Sequence, residues 1–161
     1  MTDIKYITGD ATRPVGDGKK IIIHVCNNCR PGAWGSGFVL AISKLWKQPE
    51  VQYRKWSKGH ISTPKYELGQ VQFVKVEDDI VIGNMIGQDG IGMKKGVPPI
   101  RYSAIDKCLE KVGIAALRND ATIHAPRFGS DRAGGDWDKI EELIIKNISS
   151  KNIEVTIYDL K

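Results

Sequence analysis

The chain has 161 residues, of which 41% are apolar and 27% charged, with 24 Lys and Arg against 19 Asp and Glu. These values are typical of a globular protein and predict a single domain over residues 1–161. We expect no membrane span, which needs about 18 apolar residues in a row, and no signal peptide, because the first residues lack an apolar core. Three cysteines do not make a disulfide framework, so we expect a cytoplasmic protein without a membrane partner.

The net charge of +5 favours anionic ligands. The basic residues are scattered along the chain and do not form one block; examples are Lys19, Lys20, Lys94, Lys95, Arg127 and Arg132. Such scatter predicts a solvated, mixed surface. A nucleic-acid-binding face is the less favoured alternative, because basic and aromatic residues do not interleave as they do in proteins that bind single strands.

The first part of the chain predicts two strands, each followed by a glycine-containing loop. Residues 4–7 alternate in character and predict a strand, which ends before Gly9. Residues 20–26 are almost continuously apolar and rich in β-branched side chains, as in a central strand covered on both faces. A glycine-rich loop at 27–37 then leads into a helix.

The middle of the chain predicts two helices and a hairpin. The first helix has one apolar stripe, made of Phe38, Ile42, Leu45 and Trp46, and residues 49–56 predict the second helix. Residues 70–76 and 80–86 predict strands, and the three residues between them favour an antiparallel pair. A third glycine-containing loop begins at Gly87.

The last third predicts a helix, a strand, a helix and a strand. Pro98 and Pro99 indicate a helix start, and the buried face of that helix is Ile105, Cys108, Leu109, Val112 and Ala116. Strands are predicted at 121–124 and 153–158. The helix between them presents Trp137, Ile140, Leu143, Ile144 and Ile148.

This alternation predicts an α/β domain with a mostly buried, mixed central sheet. Ligands of such sheets bind beyond the carboxyl ends of the strands. The glycine-containing loops at 27–37, 87–96 and 125–137 all follow predicted strands, so we expect them to converge on one cleft.

Residues 125–137 are the strongest candidate for a phosphate-binding loop. The order strand, glycine-rich loop, helix points backbone N–H groups at an anion. Gly134 and Gly135 are expected to take positive φ and to let the chain approach a ligand. Asp136 is predicted to cap the last helix, because its carboxylate can accept from first-turn N–H groups.

Charged residues inside this loop are unusual. Asp131 would repel a diphosphate unless Arg127 or Arg132 compensates for it. A ligand-orienting or catalytic role for Asp131 is therefore the less favoured alternative to an ordinary loop position.

Two neighbouring asparagines, Asn27 and Asn28, offer donors and acceptors to sugar hydroxyls; the alternative is that they satisfy turn backbone. Cys26 and Cys29 form a C-x-x-C pair. Neither zinc nor redox chemistry is expected there, since no second pair is present and a Pro-Gly loop replaces the helix that a redox pair opens.

The three histidines do not predict a catalytic site. His24 and His124 alternate with apolar residues on predicted strands and are expected to be packed, and His60 is expected to face water. The sequence also lacks a serine elbow, a P-loop lysine and the G-x-G-x-x-G motif. These absences exclude the commonest nucleotide enzymes.

Several motifs, spread in order over nearly the whole chain, resemble those of macrodomains, the ADP-ribose-binding α/β/α modules. The chain is most similar to small stand-alone bacterial members of the class that contains ADP-ribose 1″-phosphate phosphatases and the terminal ADP-ribose glycohydrolase. The matching segments are residues 9–12, 24–28, 32–38, 68–73, 84–88, 98–102, 124–127 and 133–137. The resemblance implies a three-layer α/β/α fold with a central mixed β-sheet, and ADP-ribose binding without a cofactor or metal.

The resemblance also implies roles for individual residues. Asp10 would accept the adenine amino group beside the N–H of Ala11, and Tyr158 would contact the adenine ring. The distal ribose would meet Asn28, Trp34, Gln88 and the Gly35-Ser36-Gly37 segment. The diphosphate would be wrapped by Gly129, Ser130, Asp131, Arg132, Ala133 and Gly134. The candidate catalytic residues are Asn28, Gln88 and Asp131, and Asp89 is the alternative to Asp131 as the residue that positions a water or acts as base.

Departures from the family pattern bear on the activity. Gln88 stands where the glycohydrolase branch has a lysine, and Ala133 where it has a catalytic aspartate. A glutamine cannot form the covalent sugar adduct that a lysine amine forms, so that mechanism is not expected. Asp131 and Arg132 replace glycine and leucine, Ser36 replaces a frequent lysine, and the first loop is about two residues longer around 29–31.

Three functions follow. The favoured one is hydrolysis of an ADP-ribose derivative, which removes a 1″-phosphate or an ADP-ribosyl group from protein or nucleic acid. The alternative is a non-catalytic reader of ADP-ribose or ADP-ribosylated targets, which the missing family catalytic residues favour. The third is a basic nucleic-acid binder that retains only the fold.

Overall fold

The computed structural model describes residues 2–130 and 133–160, and within these ranges the chain forms six strands, four α-helices and one 3₁₀ turn. The elements in chain order are β1 (Lys5–Thr8), β2 (Lys20–Asn27), α1 (Phe38–Leu45), α2 (Gln48–Ser57), β3 (Val71–Glu77), β4 (Ile80–Gln88), α3 (Tyr102–Asn119), β5 (Thr122–Ala125), α4 (Trp137–Asn147), a 3₁₀ turn (Ser149–Lys151) and β6 (Val155–Asp159).

The strands form one mixed sheet in the order β1-β6-β5-β2-β4-β3. Five strands are parallel, and only β3 runs antiparallel, paired with β4 as the hairpin prediction required. The carboxyl ends of the five parallel strands therefore lie along one edge of the sheet. Ligand-binding loops are expected at this edge.

Helices cover both faces of the sheet, so the predicted three-layer α/β/α architecture is confirmed. The aliphatic face of α3 and α4 packs on one side with Ile105, Leu109 and Ile140 fully buried. On the other side α1 and α2 bury Ile42, Tyr53 and Trp56 against the sheet. The central strand β2 is buried on both faces, which explains its continuous apolar run.

Two local predictions were wrong. The third helix begins at Tyr102 and not at Pro98, because residues 98–101 are held in an extended path: Pro99 accepts from Asp89 N–H, and Arg101 N–H donates to Gly87. Leu45 is 42% exposed and does not join the buried stripe of α1, because the helix ends there and the chain turns at Trp46.

Candidate functional site

A cleft of about 880 Å³ opens at the carboxyl ends of the parallel strands. Its walls come from four strand ends: Gly9–Ala11 after β1, the loop after β2, Gln88 at the end of β4, and Pro126–Gly129 after β5. The predicted convergence of the three glycine-containing loops on one cleft is confirmed, since each contributes lining residues.

One end of the cleft carries a carboxylate. Asp10 follows β1, and its Oδ1 accepts from the Thr12 backbone N–H at 2.9 Å and from the Thr12 hydroxyl at 2.7 Å. Both bonds fall on the same oxygen, so Oδ2 is left for a donor on a ligand. The backbone of the buried Ala11 lies beside it on the lining.

Tyr158 lines the same cleft at the end of β6. Its hydroxyl accepts from the Val15 N–H at 2.9 Å and lies 2.7 Å from His124 Nδ1, while His124 Nε2 lies 2.7 Å from Thr122 Oγ1. Burial lowers the pKa of His124 to about 4, so the imidazole is neutral at pH 7 and one of its nitrogens accepts. The hydroxyl of Tyr158 is thus engaged with the protein, and its ring is what it offers a ligand.

The loop after β2 is shaped by Asn27. The Asn27 amide donates to Ala33 O at 2.9 Å, and its Oδ1 accepts from the N–H groups of Cys29 and Ala33 at 3.2 Å. These bonds are those of an asparagine that satisfies turn backbone, the alternative left open for this residue. Asn27 therefore fixes the loop from within.

Helix α2 fixes the same loop from outside. The Tyr53 hydroxyl donates to Asn27 O at 2.7 Å, and the Gly32 N–H donates to Ser57 Oγ at 2.8 Å. A Cβ on Gly32 would lie 2.4 Å from the Tyr53 ring, so only glycine allows this close approach. Tyr66 adds a bond from its hydroxyl to Cys29 O at 2.6 Å.

The loop ends in an exposed segment, Gly35-Ser36-Gly37, that lines the cleft and leads into α1. Gly37 has φ 80°, a conformation that favours glycine, and no side chain caps the helix there. Unpaired first-turn N–H groups at a helix start attract anions. This segment therefore offers donors to an anionic group in the cleft.

Trp34 occupies a different place from the one predicted. Its side chain is 4% exposed, its indole N–H donates to Ser43 Oγ at 2.8 Å, and its ring packs 5.4 Å from that of Tyr53. Trp34 is thus a core residue beneath the loop and does not line the cleft.

Of the candidate catalytic residues that the structure describes, Gln88 lines the cleft and Asn28 does not. The Asn28 amide donates to Asp89 Oδ1 at 3.1 Å, and its carbonyl oxygen accepts from the Gly90 N–H at 2.9 Å. Asp89 also pairs with Arg101 at 3.6 Å. Asn28 and Asp89 thus tie the loops after β2 and β4 together.

The glycine-rich loop at 125–137 meets the cleft through Gly129 and Ala133. Ser130 donates its hydroxyl to Arg127 O at 2.9 Å, and Gly134 has the expected positive φ of 74°. Gly135 does not: its N–H donates to Gly129 O at 2.8 Å, so its close approach is to the loop itself and not to a ligand.

Predictions were also made for Asp136, Asp131 and Arg132 in this loop. The Asp136 cap is confirmed, because its carboxylate accepts from Asp138 N–H at 2.9 Å. The predicted ligand-binding residues Asp131 and Arg132 lie outside the described residues.

An aromatic and ionic cluster at the rim was missed. Arg127 lines the cleft, pairs with Asp159 at 2.6 Å, and lies over the rings of Tyr6 and Trp137 at 4.8 and 5.4 Å. The Tyr6 hydroxyl in turn bonds to Glu141. The members of this cluster are far apart in sequence, so its existence could not be predicted. Only Arg127 and Trp137 lay within segments that resemble macrodomain motifs.

A second missed feature lies under the cleft. His24 Nε2 is 2.6 Å from Asn84 Oδ1, and the Asn84 amide donates to Gln72 Oε1 at 3.0 Å and to Pro49 O at 3.3 Å. Burial lowers the pKa of His24 to about 4. The prediction that His24 and His124 are packed is confirmed, and His60 is exposed as expected.

Two further features are absent from residues 2–130 and 133–160. No group of three or more His, Cys, Asp or Glu side chains there has the arrangement of a metal site. No helix in that part of the chain is both long enough and apolar enough to cross a bilayer.

No protein-family model matches the chain. A protein of unknown function from Bacteroides thetaiotaomicron is 48% identical, with 99% of each chain covered and a TM-score of 0.94. A macrodomain protein from Streptomyces coelicolor is 44% identical over 98% of this chain and 99% of its own, with a TM-score of 0.85.

Two further relatives are more distant. Chromodomain-helicase-DNA-binding protein 1-like of Danio rerio is 29% identical over 98% of this chain, which spans only 16% of that protein. Thermosipho africanus DarTG, solved in complex with ADP-ribose, is 15% identical over 88% of this chain and 38% of its own, with a TM-score of 0.66.

Proposed function

Because the chain belongs to the macrodomain family, we propose that its cleft binds ADP-ribose. The observation that carries the proposal is the arrangement along one cleft of a carboxylate, an aromatic ring and an uncapped helix start: Asp10, Tyr158 and the Gly35–Gly37 segment. This order matches adenine followed by diphosphate. The structural neighbour from Thermosipho africanus, solved with ADP-ribose, supports the same ligand.

The contacts follow from the geometry. Asp10 Oδ2 would accept from the adenine amino group beside the Ala11 N–H, and the Tyr158 ring would contact the base. The diphosphate would lie along Gly129 and Ala133 and reach the α1 start, and the distal ribose would contact the Gly35–Gly37 segment and face Gln88 at the other end.

Calorimetric titration with ADP-ribose tests the proposal. Asp10→Ala should weaken binding by about 1–3 kcal/mol, because it removes a hydrogen bond to a charged group. Asp17→Ala is the matched control, since Asp17 is an exposed carboxylate farther along the same β1–β2 loop and does not line the cleft. An affinity that is the same for Asp10→Ala and the wild type would refute the adenine assignment, and no binding by the wild type would refute the function.

We further propose that the bound derivative is hydrolysed, either at a 1″-phosphate or at the bond to an ADP-ribosylated protein or nucleic acid. The uncapped N–H groups beside Gly37 support this, because fixed donors stabilise charge that develops on a phosphate or a leaving oxygen. Asp131 is the proposed base and Gln88 the residue that would orient the distal ribose.

A non-catalytic reader is the competing function, and one observation favours it. Asp10 is the only acidic side chain among the described lining residues, and it lies at the adenine end. The Asp89 carboxylate is already engaged with Asn28 and Arg101.

Phosphate release from ADP-ribose 1″-phosphate, and release of ADP-ribose from modified protein and nucleic acid, separate the two functions. Turnover that is lost in Asp131→Ala with ADP-ribose affinity retained supports the hydrolase and its base. Turnover that survives this substitution excludes Asp131 as the base. Tight binding without turnover of any of the three substrates supports the reader.

A further inference from the structure

The positive charge of the molecule is concentrated in one segment. Residues 29–65 contain seven Lys and Arg and one acidic residue, a net charge of +6. The other 124 residues contain 17 basic and 18 acidic residues, so they contribute −1 to the total of +5. The predicted mixed surface is therefore wrong for the α1–α2 side of the sheet.

Three of the exposed lysines of this segment form a row on α2. Lys47 at the start of the helix, Lys55 on it and Lys58 at its end are all exposed, and the spacing of eight and three residues keeps them on neighbouring positions of one side. At 1.5 Å per residue the row is about 16 Å long, which is the reach of about five successive phosphates of a nucleic-acid strand.

The single acidic residue of the segment does not offset the row. Glu50 accepts from Arg54 Nε at 2.9 Å and from Ser43 Oγ at 2.9 Å, so it is paired within the helices. At the edges, Glu67 pairs with Lys65 and Glu77 accepts from the Trp46 indole. Among the described residues, none of these three carboxylates forms an ion pair with Lys47, Lys55 or Lys58.

We propose that this face, defined by Lys47, Lys55 and Lys58, docks the phosphate backbone of a nucleic acid. A membrane surface fits less well, because an interfacial helix inserts its apolar face into lipid, and here that face, with Tyr53 and Trp56, is packed on the sheet. An acidic protein fits less well, since lysine is depleted in protein interfaces, whereas phosphate contacts use it as a point charge.

The helix that carries this face contacts the loop after β2, whose end lines the cleft. Ser57, beside the last lysine of the row, bonds to Gly32, and Arg54 donates to Gly32 O at 3.3 Å, in the loop whose end lines the cleft. The proposal does not depend on ADP-ribose binding, because it concerns an unmodified backbone on a surface that does not line the cleft.

The test is fluorescence anisotropy with labelled 20-nucleotide single-stranded and duplex oligonucleotides at a series of salt concentrations. The variant Lys47→Glu/Lys55→Glu/Lys58→Glu should bind at least about tenfold more weakly at low salt, and its plot of log affinity against log salt should be shallower by about 2–3. The matched control is Lys19→Glu/Arg118→Glu/Lys151→Glu, three exposed residues outside the segment with the same change in net charge.

The proposal predicts that the control keeps most of the affinity, that ADP-ribose does not compete, and that both variants bind ADP-ribose like the wild type. An equal loss in both triple variants would show attraction to net charge alone and overturn it. So would displacement of the oligonucleotide by ADP-ribose, or wild-type binding to poly-glutamate or phosphatidylserine vesicles in place of nucleic acid. Failure of ADP-ribose binding in the wild type would refute only the proposed function.

Discussion

The two faces of the central sheet are built from different chemistry. Toward α3 and α4 the buried side chains of the strands are apolar, among them Ile21, Ile23, Met85, Ile123, Ala125, Val155 and Ile157. The opposite face mixes apolar residues with His24, Gln72, Asn84, His124, Thr156 and Tyr158, and it carries the cleft. The aliphatic face therefore stabilises the protein mainly through apolar burial. The polar face buries less apolar area, and its hydrogen bonds hold the cleft loops and the Tyr158 ring in fixed positions.

The aliphatic face should show the largest effect on stability. Leu109 of α3 is fully buried, and Leu109→Ala should lower the free energy of unfolding by about 2–5 kcal/mol, through lost burial and a cavity. ADP-ribose affinity should not change, because the residue lies on the face away from the cleft. Urea unfolding and calorimetry measure the two quantities.

Leu117→Ala on the same helix is the control. Leu117 is 57% exposed, so its loss should change stability by no more than about 0.5 kcal/mol. If Leu109→Ala weakened the binding of the folded protein, the division of labour between the two faces would be wrong.

The polar face should make stability depend on pH. Burial lowers the pKa of His24 from 6.5 to about 4 in the folded protein, so between these values the unfolded chain binds a proton that the folded protein does not. Stability is therefore full above pH 6.5 and falls as the pH drops toward 4, by about 3 kcal/mol for this residue.

Urea unfolding of the wild type and of His24→Gln at several pH values measures this effect. Glutamine keeps a neutral donor for Asn84 Oδ1 but does not titrate in this range. In the variant the free energy of unfolding should fall less steeply as the pH drops, because the contribution of His24 is lost and only that of His124 is retained. Parallel curves for the two proteins would contradict the assignment.

The loop after β2 should depend on its contact with the aromatic residues of the polar face. Gly32→Ala would place a Cβ 2.4 Å from the buried Tyr53 ring, and we expect a loss of about 1–3 kcal/mol in unfolding free energy. Gly35→Ala, in the same loop, is the control, because nothing lies within 4 Å of its added Cβ and its φ is not positive. Equal stabilities of the two variants in thermal unfolding would show that α2 does not fix the loop.

The same contrast explains which parts of the molecule could be predicted from the sequence. The aliphatic face was predictable, since the spacing of Ile105, Leu109 and Val112 reports burial directly, and so were the strand ends that form the cleft. The polar face could be predicted only in part. Trp34 looks like an exposed ligand contact in a glycine loop, yet Tyr53 and Ser43, up to 19 residues away, bury it.

The start of α3 could not be read for a related reason. Pro98 and Pro99 are good first residues of a helix, but the extended path of this segment is set by bonds to Gly87 and Ala133 on other loops. Contacts between distant segments decide such positions, and neither periodicity nor propensity reports them.

The smallest expected effect separates the two roles of Tyr158. Tyr158→Phe removes the hydroxyl that accepts from the exposed Val15 and contacts His124, so unfolding should cost about 1 kcal/mol less. ADP-ribose affinity should stay the same, because the proposed contact with adenine uses the ring, whereas Tyr158→Ala should weaken binding clearly. If the hydroxyl were needed to bind the ligand, calorimetry would show that Tyr158→Phe and Tyr158→Ala bind ADP-ribose equally weakly. That outcome would mean that the hydrogen bonds of the polar face serve binding directly and do more than hold the ring in place.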